Sequence, residues 1–375
     1  MFMAKSPMDT LHFACIQIVI ALLLFTHAKS TIEGSTSALH PNDAIPSCVA
    51  GEKSALLAFR AGLSDPANLL SSWKGDDCCR WKGVYCSNRT GHVVRLDLHG
   101  NGQALAGNIS SSLLGLHHLR YLDLSHNRFD KVHIPEFIGS INNLRYLDLS
   151  GSLFIGRIPP QLGNLSNLRY LNLGYISDTT YSTDITWLSR LTSLEHLDMS
   201  GLNLSTLVHW LPSVNMLPTL KVLRVTNCLL KNSPDSLLLS SNDFYGPFPD
   251  GIGNMTSIVE LDLSDNNLVG MIPSNMKNLC KLESLVSFRN NISGSIAELL
   301  HRLPNCSPNK LQDLSLSDNN LTGSLPTTLV EPLRNLNQLD LSDNKLTGHV
   351  PVWIGELKQL TNLDLSSKQP GRGHT

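Results

Sequence analysis

LRYLDLSHN, Leu119 to Asn127, returns along this chain as IVELDLSDN at Ile258 to Asn266 and as LNQLDLSDN at Leu336 to Asn344. Counting the middle leucine, the frame fits at Leu96, Leu122, Leu147, Leu171, Leu197, Leu223, Leu261, Leu285, Leu314, Leu339 and Leu363, at most steps about every 24 to 26 residues. A fixed period of this length is the mark of a solenoid, in which each repeat is one coil and stacked coils make the core. Within LDLS the leucines alternate with polar residues, the period of a half-buried strand. Leu122 and Leu124 are expected to point inward, and Tyr121, Asp123 and Ser125 outward. Some twelve coils would then build a curved parallel sheet on the order of 55 Å long, with the outward positions lining its concave face.

The rest of each coil follows from its turn chemistry. Asn127, Asn242, Asn266, Asn290, Asn319 and Asn344 come just after the strand, where a buried carboxamide satisfies backbone groups of the turn and of the neighbouring coil. Cys228 occupies the same place and reads as a buried free thiol. A second extended element is expected at Phe154–Pro159, Leu268–Pro273, Leu321–Pro326 and Leu346–Pro351, where glycine permits a tight path and proline ends the pairing. Segments such as Gln161 to Leu168 close the coil through short 3₁₀ turns.

Composition narrows the function. Lysine plus arginine number 29 against 31 aspartate plus glutamate, and no basic run exists, which argues against nucleic acid or acidic lipid as partner. Lys5 precedes an apolar stretch from Leu11 to Phe25 and then Ala28-Lys29-Ser30, the order of a secretory signal peptide over 1–30. The competing reading, a membrane anchor, needs ~20 apolar residues. Cys48, Cys78, Cys79 and Cys86 cluster before the first repeat and read as two disulfides, with Cys48–Cys78 and Cys79–Cys86 preferred because adjacent cysteines pair poorly. A metal site there lacks a second ligand pair of usual spacing. Eight Asn-x-Ser/Thr sequons begin at Asn88, Asn108, Asn164, Asn203, Asn254, Asn291, Asn305 and Asn320 and are glycan acceptors in an exported chain.

The Leu-x-Gly-x-Ile-Pro element makes a family resemblance specific. The chain resembles the plant extracellular leucine-rich-repeat family, in particular the receptor-like proteins of plant cell-surface immunity. GEKSALLAFRAGLSDPANLLSSWKGDDCCRWKGVYC, Gly51 to Cys86, is similar to that family's N-terminal cap. In it Glu52 to Leu63 has helical periodicity through Ala55, Leu56, Phe59 and Leu63, and Trp73 and Trp81 would cover the first coil. The resemblance implies an α/β repeat fold: a leucine-rich-repeat solenoid, a curved horseshoe or superhelix with its parallel sheet on the concave face and a disulfide-bonded cap. The expected organisation is signal 1–30, cap 48–90, repeats 91–366 and an unstructured tail 367–375.

Several stretches depart from the family pattern. From Leu223 to the frame at Leu237–Asn242 is only 14 residues, so a distorted coil or a break is expected between Leu229 and Ser240. Leu285 to Leu314 spans 29, a small insertion flanked by Cys280 and Cys306 about one coil apart, within reach of a disulfide. Family receptors continue into more repeats, a cysteine-containing C-cap, a membrane helix and a short cytoplasmic tail. Here the sequence stops at LDLSSKQPGRGHT, Leu363 to Thr375, and the expectation is a secreted short form or a truncated gene product.

No His-Glu-x-x-His, Walker A or Gly-x-Ser-x-Gly pattern is present, and Asp97, Asp123, Asp148, Asp198, Asp262, Asp340 and Asp364 recur in one repeat position. No enzyme, cofactor or metal is expected. Ligand contacts are sought at outward positions that break the repeat. Tyr121, Tyr146 and Tyr170 share one register, readable as an aromatic recognition strip or as a by-product of the LRYL repeat. His196, Val222, Arg224, Glu260, Val286 and Phe288 replace the usual chemistry further along, with Arg224 and an exposed Phe288 the leading candidates. What the resemblance implies is recognition of a peptide, protein or glycan outside the cell, at the plasma membrane if a longer form is anchored, with signalling through a partner receptor kinase and co-receptor. A secreted inhibitor of microbial wall-degrading enzymes is the alternative, and a non-functional gene fragment a third.

Overall fold

Among the described residues eleven repeat frames become short strands, and these stack side by side with one cap strand into a sheet of twelve. The computed structural model describes residues 47–366 except 101–104, 178, 208–210, 229–245 and 249. The signal segment 1–30, the frame at Leu237–Asn242 with its Asn242, the expected break from Leu229 to Ser240 and the tail 367–375 lie outside the described residues. The sheet begins with the antiparallel pair Val84–Cys86 and Val93–Asp97 and runs on in parallel through Tyr121–Asp123 to Asn362–Asp364. Its register aligns Leu96, Leu122, Leu147, Leu171, Leu197, Leu223, Leu261, Leu285, Leu314, Leu339 and Leu363 as one column.

From Leu122 to Leu339 that column, like Leu124 and Leu149 beside it, is at most 1% exposed, so the leucines form a continuous core shared by neighbouring coils. A second parallel sheet of five strands, Gly246–Pro247, Leu268–Gly270, Asn291–Ser295, Asn320–Ser324 and Lys345–Thr347, holds the Leu-x-Gly elements. Between the sheets most coils close with a 3₁₀ turn, such as Pro160–Asn164 or Ser274–Asn278. The coil with the small insertion instead folds Ile296–Arg302 into an α-helix, and its Cys306 is bonded to Cys280.

The strand after Val222–Arg224 in the large sheet is Glu260–Asp262, and the two pair directly. Asn266 crosses this seam. Its Nδ2 donates to Val225 O at 2.7 Å and its Oδ1 accepts from the Cys228 amide, 38 residues earlier. Asn127, Asn319 and Asn344 make the same three carbonyl contacts in their coils, the ladder that turn chemistry demands. Cys228 is free and fully buried, its Sγ facing Met199 O at 3.1 Å.

The N-terminal cap is one helix, Ala50–Ala61, packed by Leu56 and Phe59, with the stacked indoles of Trp73 and Trp81 (centroids 5.3 Å apart) beneath it. Each indole N–H is satisfied, by Lys82 O at 2.9 Å and Lys74 O at 2.8 Å. The helix stops short of Leu63 because Leu63–Ser64 pairs antiparallel with Ala106–Gly107. Cys48–Cys78 and Cys79–Cys86 are the disulfides. The sulfurs of Cys48, Cys78 and Cys79 lie within 4.8 Å of one another, but all three are consumed in these bonds and offer no thiolate to a metal.

Candidate functional site

One outward column of the large sheet reads Arg95, Tyr121, Tyr146, Tyr170, His196, Val222, Glu260. Because parallel strands sit about 4.8 Å apart, aromatic side chains in one register stack face to face. Tyr121 and Tyr146 lie 4.0 Å apart with planes 7° from parallel, Tyr146 and Tyr170 4.2 Å at 9°, and Tyr170 and His196 4.2 Å at 16°. The Arg95 guanidinium caps the near end, 4.0 Å from the Tyr121 centroid and 5.0 Å from Tyr85.

The next column explains the recurring aspartates. Asp123 and Asp148 each take the amide and hydroxyl of the serine two residues on, and with the other oxygen accept the hydroxyl of Tyr121 (3.2 Å) and Tyr146 (3.3 Å). They are buried struts. Burial pushes the Asp148, Asp198 and Asp262 carboxyls above the ordinary carboxylate range, against their serine hydrogen bonds. It likewise raises the Tyr121 and Tyr146 phenols and takes Tyr170 up to about 12, so the ladder stays neutral.

His196 is neutral too. Burial, then the nearby Arg224 cation, lowers its pKa to about 3, and its Nε2 is buried with no hydrogen-bond partner. The unfolded chain takes up that proton below about 6.5, whereas the folded state does not until near 3. Stability from this group is therefore complete above about pH 6.5 and lost as pH falls, by up to about 1.4 kcal/mol per unit. The raised aspartates act in the opposite sense, because the native state holds their protons. His196→Phe keeps the ring and removes the titration. Urea unfolding at pH 7 and pH 4.5 is expected to show the stability gap between the two shrinking by roughly 2 kcal/mol in this variant; an unchanged gap would refute the assignment.

Arg224 and Glu260, chosen separately in the sequence, turn out to hold each other. Arg224 Nε and Nη2 reach one Glu260 oxygen at 2.9 and 2.5 Å, with Asp198 and Asp262 flanking in register. Phe288 lies apart from the ladder and is half-buried, correcting the expectation of an exposed ring; Arg289 stands 5.8 Å from its centroid. Val222 and Val286 are half-buried positions of the same sheet.

Two features escaped the sequence. Tyr175 adopts φ +51°, 60% exposed, with its hydroxyl 3.1 Å from Thr226 Oγ1 and its ring over Gly201, where a Cβ would come within 2.8 Å. The equivalent places elsewhere carry Gly151, Gly201, Asn227, Asp265, Asp318 and Asp343, residue types that tolerate left-handed backbone, besides His126 and Arg289, and a tyrosine there was the available signal. Secondly, Arg120, Arg145 and Arg169 precede the three ladder tyrosines and are exposed in adjacent coils, with Arg145 N bonded to Arg120 O and Arg169 N to Arg145 O.

A leucine-rich-repeat N-terminal domain model matches residues 49–87, a leucine-rich-repeat region model 89–243, and further leucine-rich-repeat models 257–279 and 309–369. Receptor-like protein EIX1 of Solanum lycopersicum is 38% identical over 196 residues, covering 48% of this chain and 19% of that protein. The leucine-rich-repeat ectodomain of the Arabidopsis receptor kinase HAESA, solved with a peptide hormone ligand, superposes with TM-score 0.64 at 29% identity, covering 85% of this chain and 53% of that one. A plant ice-binding protein superposes with TM-score 0.65 at 21% identity over 88% of this chain and 100% of its own, a likeness of fold alone. The chain thus spans about a fifth of the receptor-like protein and about half of the receptor ectodomain it matches. Cap, coil and repeat lead to one place: the chain is a leucine-rich-repeat protein with the N-terminal cap domain of such repeats, similar over about half of its length to a plant receptor-like protein.

Proposed function

We propose that this chain is the ligand-recognition part of a plant receptor-like protein. It is exported, it binds a peptide or protein through the concave sheet in defence perception, and it signals through a partner receptor kinase and co-receptor. The observation that carries this reading is the distribution of glycan acceptors. None of the eight sequon asparagines falls in a strand of the twelve-stranded sheet. Asn164 and Asn254 end 3₁₀ turns, Asn291 and Asn320 belong to the second sheet, Asn203 bridges to Tyr181, Asn108 and Asn305 are exposed outside both sheets, and Asn88 sits in the turn of the cap hairpin. Glycans at these places would shield the outer surfaces and leave the face bearing the aromatic ladder bare. The peptide hormone bound to the HAESA ectodomain supports the same class of ligand.

Removing N-glycans from the secreted protein should lower its apparent mass clearly; no shift would remove the export argument. The face itself is tested with an introduced glycan. Ser284→Asn with Val286→Thr writes a sequon onto the strand Ser284–Val286. In leaf tissue expressing the protein, an oxidative burst evoked by microbial culture filtrate is expected to vanish in this variant, at normal surface abundance, and a burst of full size would overturn the reading.

A further inference from the structure

The sequence contains no basic run, yet the coil register builds one. Arg120, Arg145 and Arg169 are neighbours on three successive coils, joined through their backbones, and all three side chains are exposed. Arg120 and Arg145 have no acidic partner among the described residues; Arg169 lies 3.4 Å from Glu195, which is itself held at 2.6 Å by Lys221. The acidic column of the same coils cannot neutralise the row, because Asp123 and Asp148 are buried and committed to serines and tyrosine hydroxyls. At its N-terminal end the row opens into a cleft between the cap hairpin and the second coil. Ser87, Thr90, His92, Val94, His118 and Arg120 line it, with no carboxylate among them. Glu52, behind His92, is spent on the Val93 amide at 2.7 Å and on His92 Nδ1 at 3.1 Å.

We propose that this arginine row, ending in the cleft, seats an acidic stretch of an extended polypeptide ligand that crosses the coils. The proposal rests on the concave face being the ligand surface and names the chemistry it selects. Arginine forks match carboxylates in pairs, and a row of them at strand spacing suits a chain with several acidic side chains. The aromatic ladder beside it decides between polypeptide and anionic polysaccharide. Sugar rings are gripped by the open face of an aromatic ring. Here both faces of Tyr121, Tyr146 and Tyr170 are covered, by Arg95, by one another and by His196, at 4.0 to 4.2 Å. Only ring edges remain, which suit packing against a peptide's backbone and aliphatic side chains.

The test is fluorescence anisotropy of the full secreted protein with labelled decaglutamate, decaglutamine and decagalacturonate at low and moderate salt. Decaglutamate should bind, decaglutamine should not, and the affinity should fall steeply with salt. Arg120→Gln/Arg145→Gln/Arg169→Gln should weaken decaglutamate at least 30-fold and Arg145→Gln alone several-fold. The charge-matched Arg157→Gln/Lys277→Gln/Lys345→Gln, exposed residues elsewhere, should change it less than twofold. Equal losses in the two triple variants, no decaglutamate binding by the parent, or row-dependent binding of decagalacturonate alone would each overturn the proposal. None of these would touch the introduced-glycan result, so failure here is distinct from failure of the concave face as the ligand surface.

Discussion

Replacing Cys78 and Cys79 together by serine is expected to eliminate folded protein from the secreted pool. The cap lies over the open end of the first coil, where the leucine core would otherwise meet water. It has one helix, Ala50–Ala61, and two short strands with which to hold Leu56, Phe59, Trp73 and Trp81 in place. An element that small rarely buries enough apolar surface to stay ordered without staples. Cys48–Cys78 closes 30 residues and Cys79–Cys86 closes 7, which by loop entropy contribute about 3.6 and about 2.4 kcal/mol. Their joint loss is comparable to the whole stability of an ordinary domain. Cys280→Ser with Cys306→Ser is the contrast. That bridge joins coils that already share strand pairing, between Ser284–Val286 and Asp313–Ser315, so this variant should still accumulate, with a lowered melting midpoint. Secreted yield and thermal midpoint together check the prediction, and a Cys78→Ser/Cys79→Ser protein secreted and melting like the parent would refute the role given to the cap.

How much could be read in the residues depended on whether the signal lay along the chain or across it. Leu-x-Leu alternation, the asparagine after the strand and the Gly-x-Ile-Pro segment are local, and each produced its element: strand, ladder and second strand, although Gly156–Arg157 pairs with Thr180–Tyr181 outside the five-stranded sheet. Cys228 could be assigned to the ladder because its place in the frame was unambiguous. What neighbouring coils decide was not legible in the residues. Arg224 and Glu260 stood as separate candidate contacts in the sequence; the strands Val222–Arg224 and Glu260–Asp262 are paired, and the long guanidinium reaches the neighbouring strand's carboxylate. A search for consecutive basic residues passes over Arg120, Arg145 and Arg169, which are about 25 residues apart in sequence and adjacent in the fold. The tyrosine strip was legible as a column. Its consequence was not, since only the stacking distances reveal that the ring faces are occupied.

Asn266→Ala is the substitution expected to do most harm outside the cap, because of where that side chain stands. At most other coils the two paired strands are joined by about one period of chain. Cys228 and Asn266 are 38 positions apart, and to the strand pairing, the Asn227 N to Ser264 O bond and the Arg224–Glu260 ion pair this one carboxamide adds two bonds across the join, to Val225 O and from Cys228 N. Its Nδ2 donates to Val225 O, Leu263 O and Ser264 O at 2.7, 3.0 and 3.0 Å, and its Oδ1 accepts from Cys228 N at 3.2 Å. Asn266 is 5% exposed, so alanine would leave those groups without a partner and without ready access to water. Each unpaired buried group costs about 1–3 kcal/mol, for a loss of about 3–5 kcal/mol when relaxation recovers part of it. Serine should restore some of that, because Ser152 holds the equivalent place in its own coil by donating to Leu124 O at 2.6 Å and Ser150 O at 3.2 Å. Asn344→Ala removes the same three carbonyl contacts from a coil with no such seam and should be milder. Because repeat arrays can open at their weakest interface, the Asn266→Ala protein should also lose its single transition in urea and unfold in two steps, the coils before the seam separately from those after it. Hydrogen exchange resolved by segment would locate the break. A single transition, with Asn266→Ala no worse than Asn344→Ala, would mean that the leucine core carries the seam and the carboxamide does not.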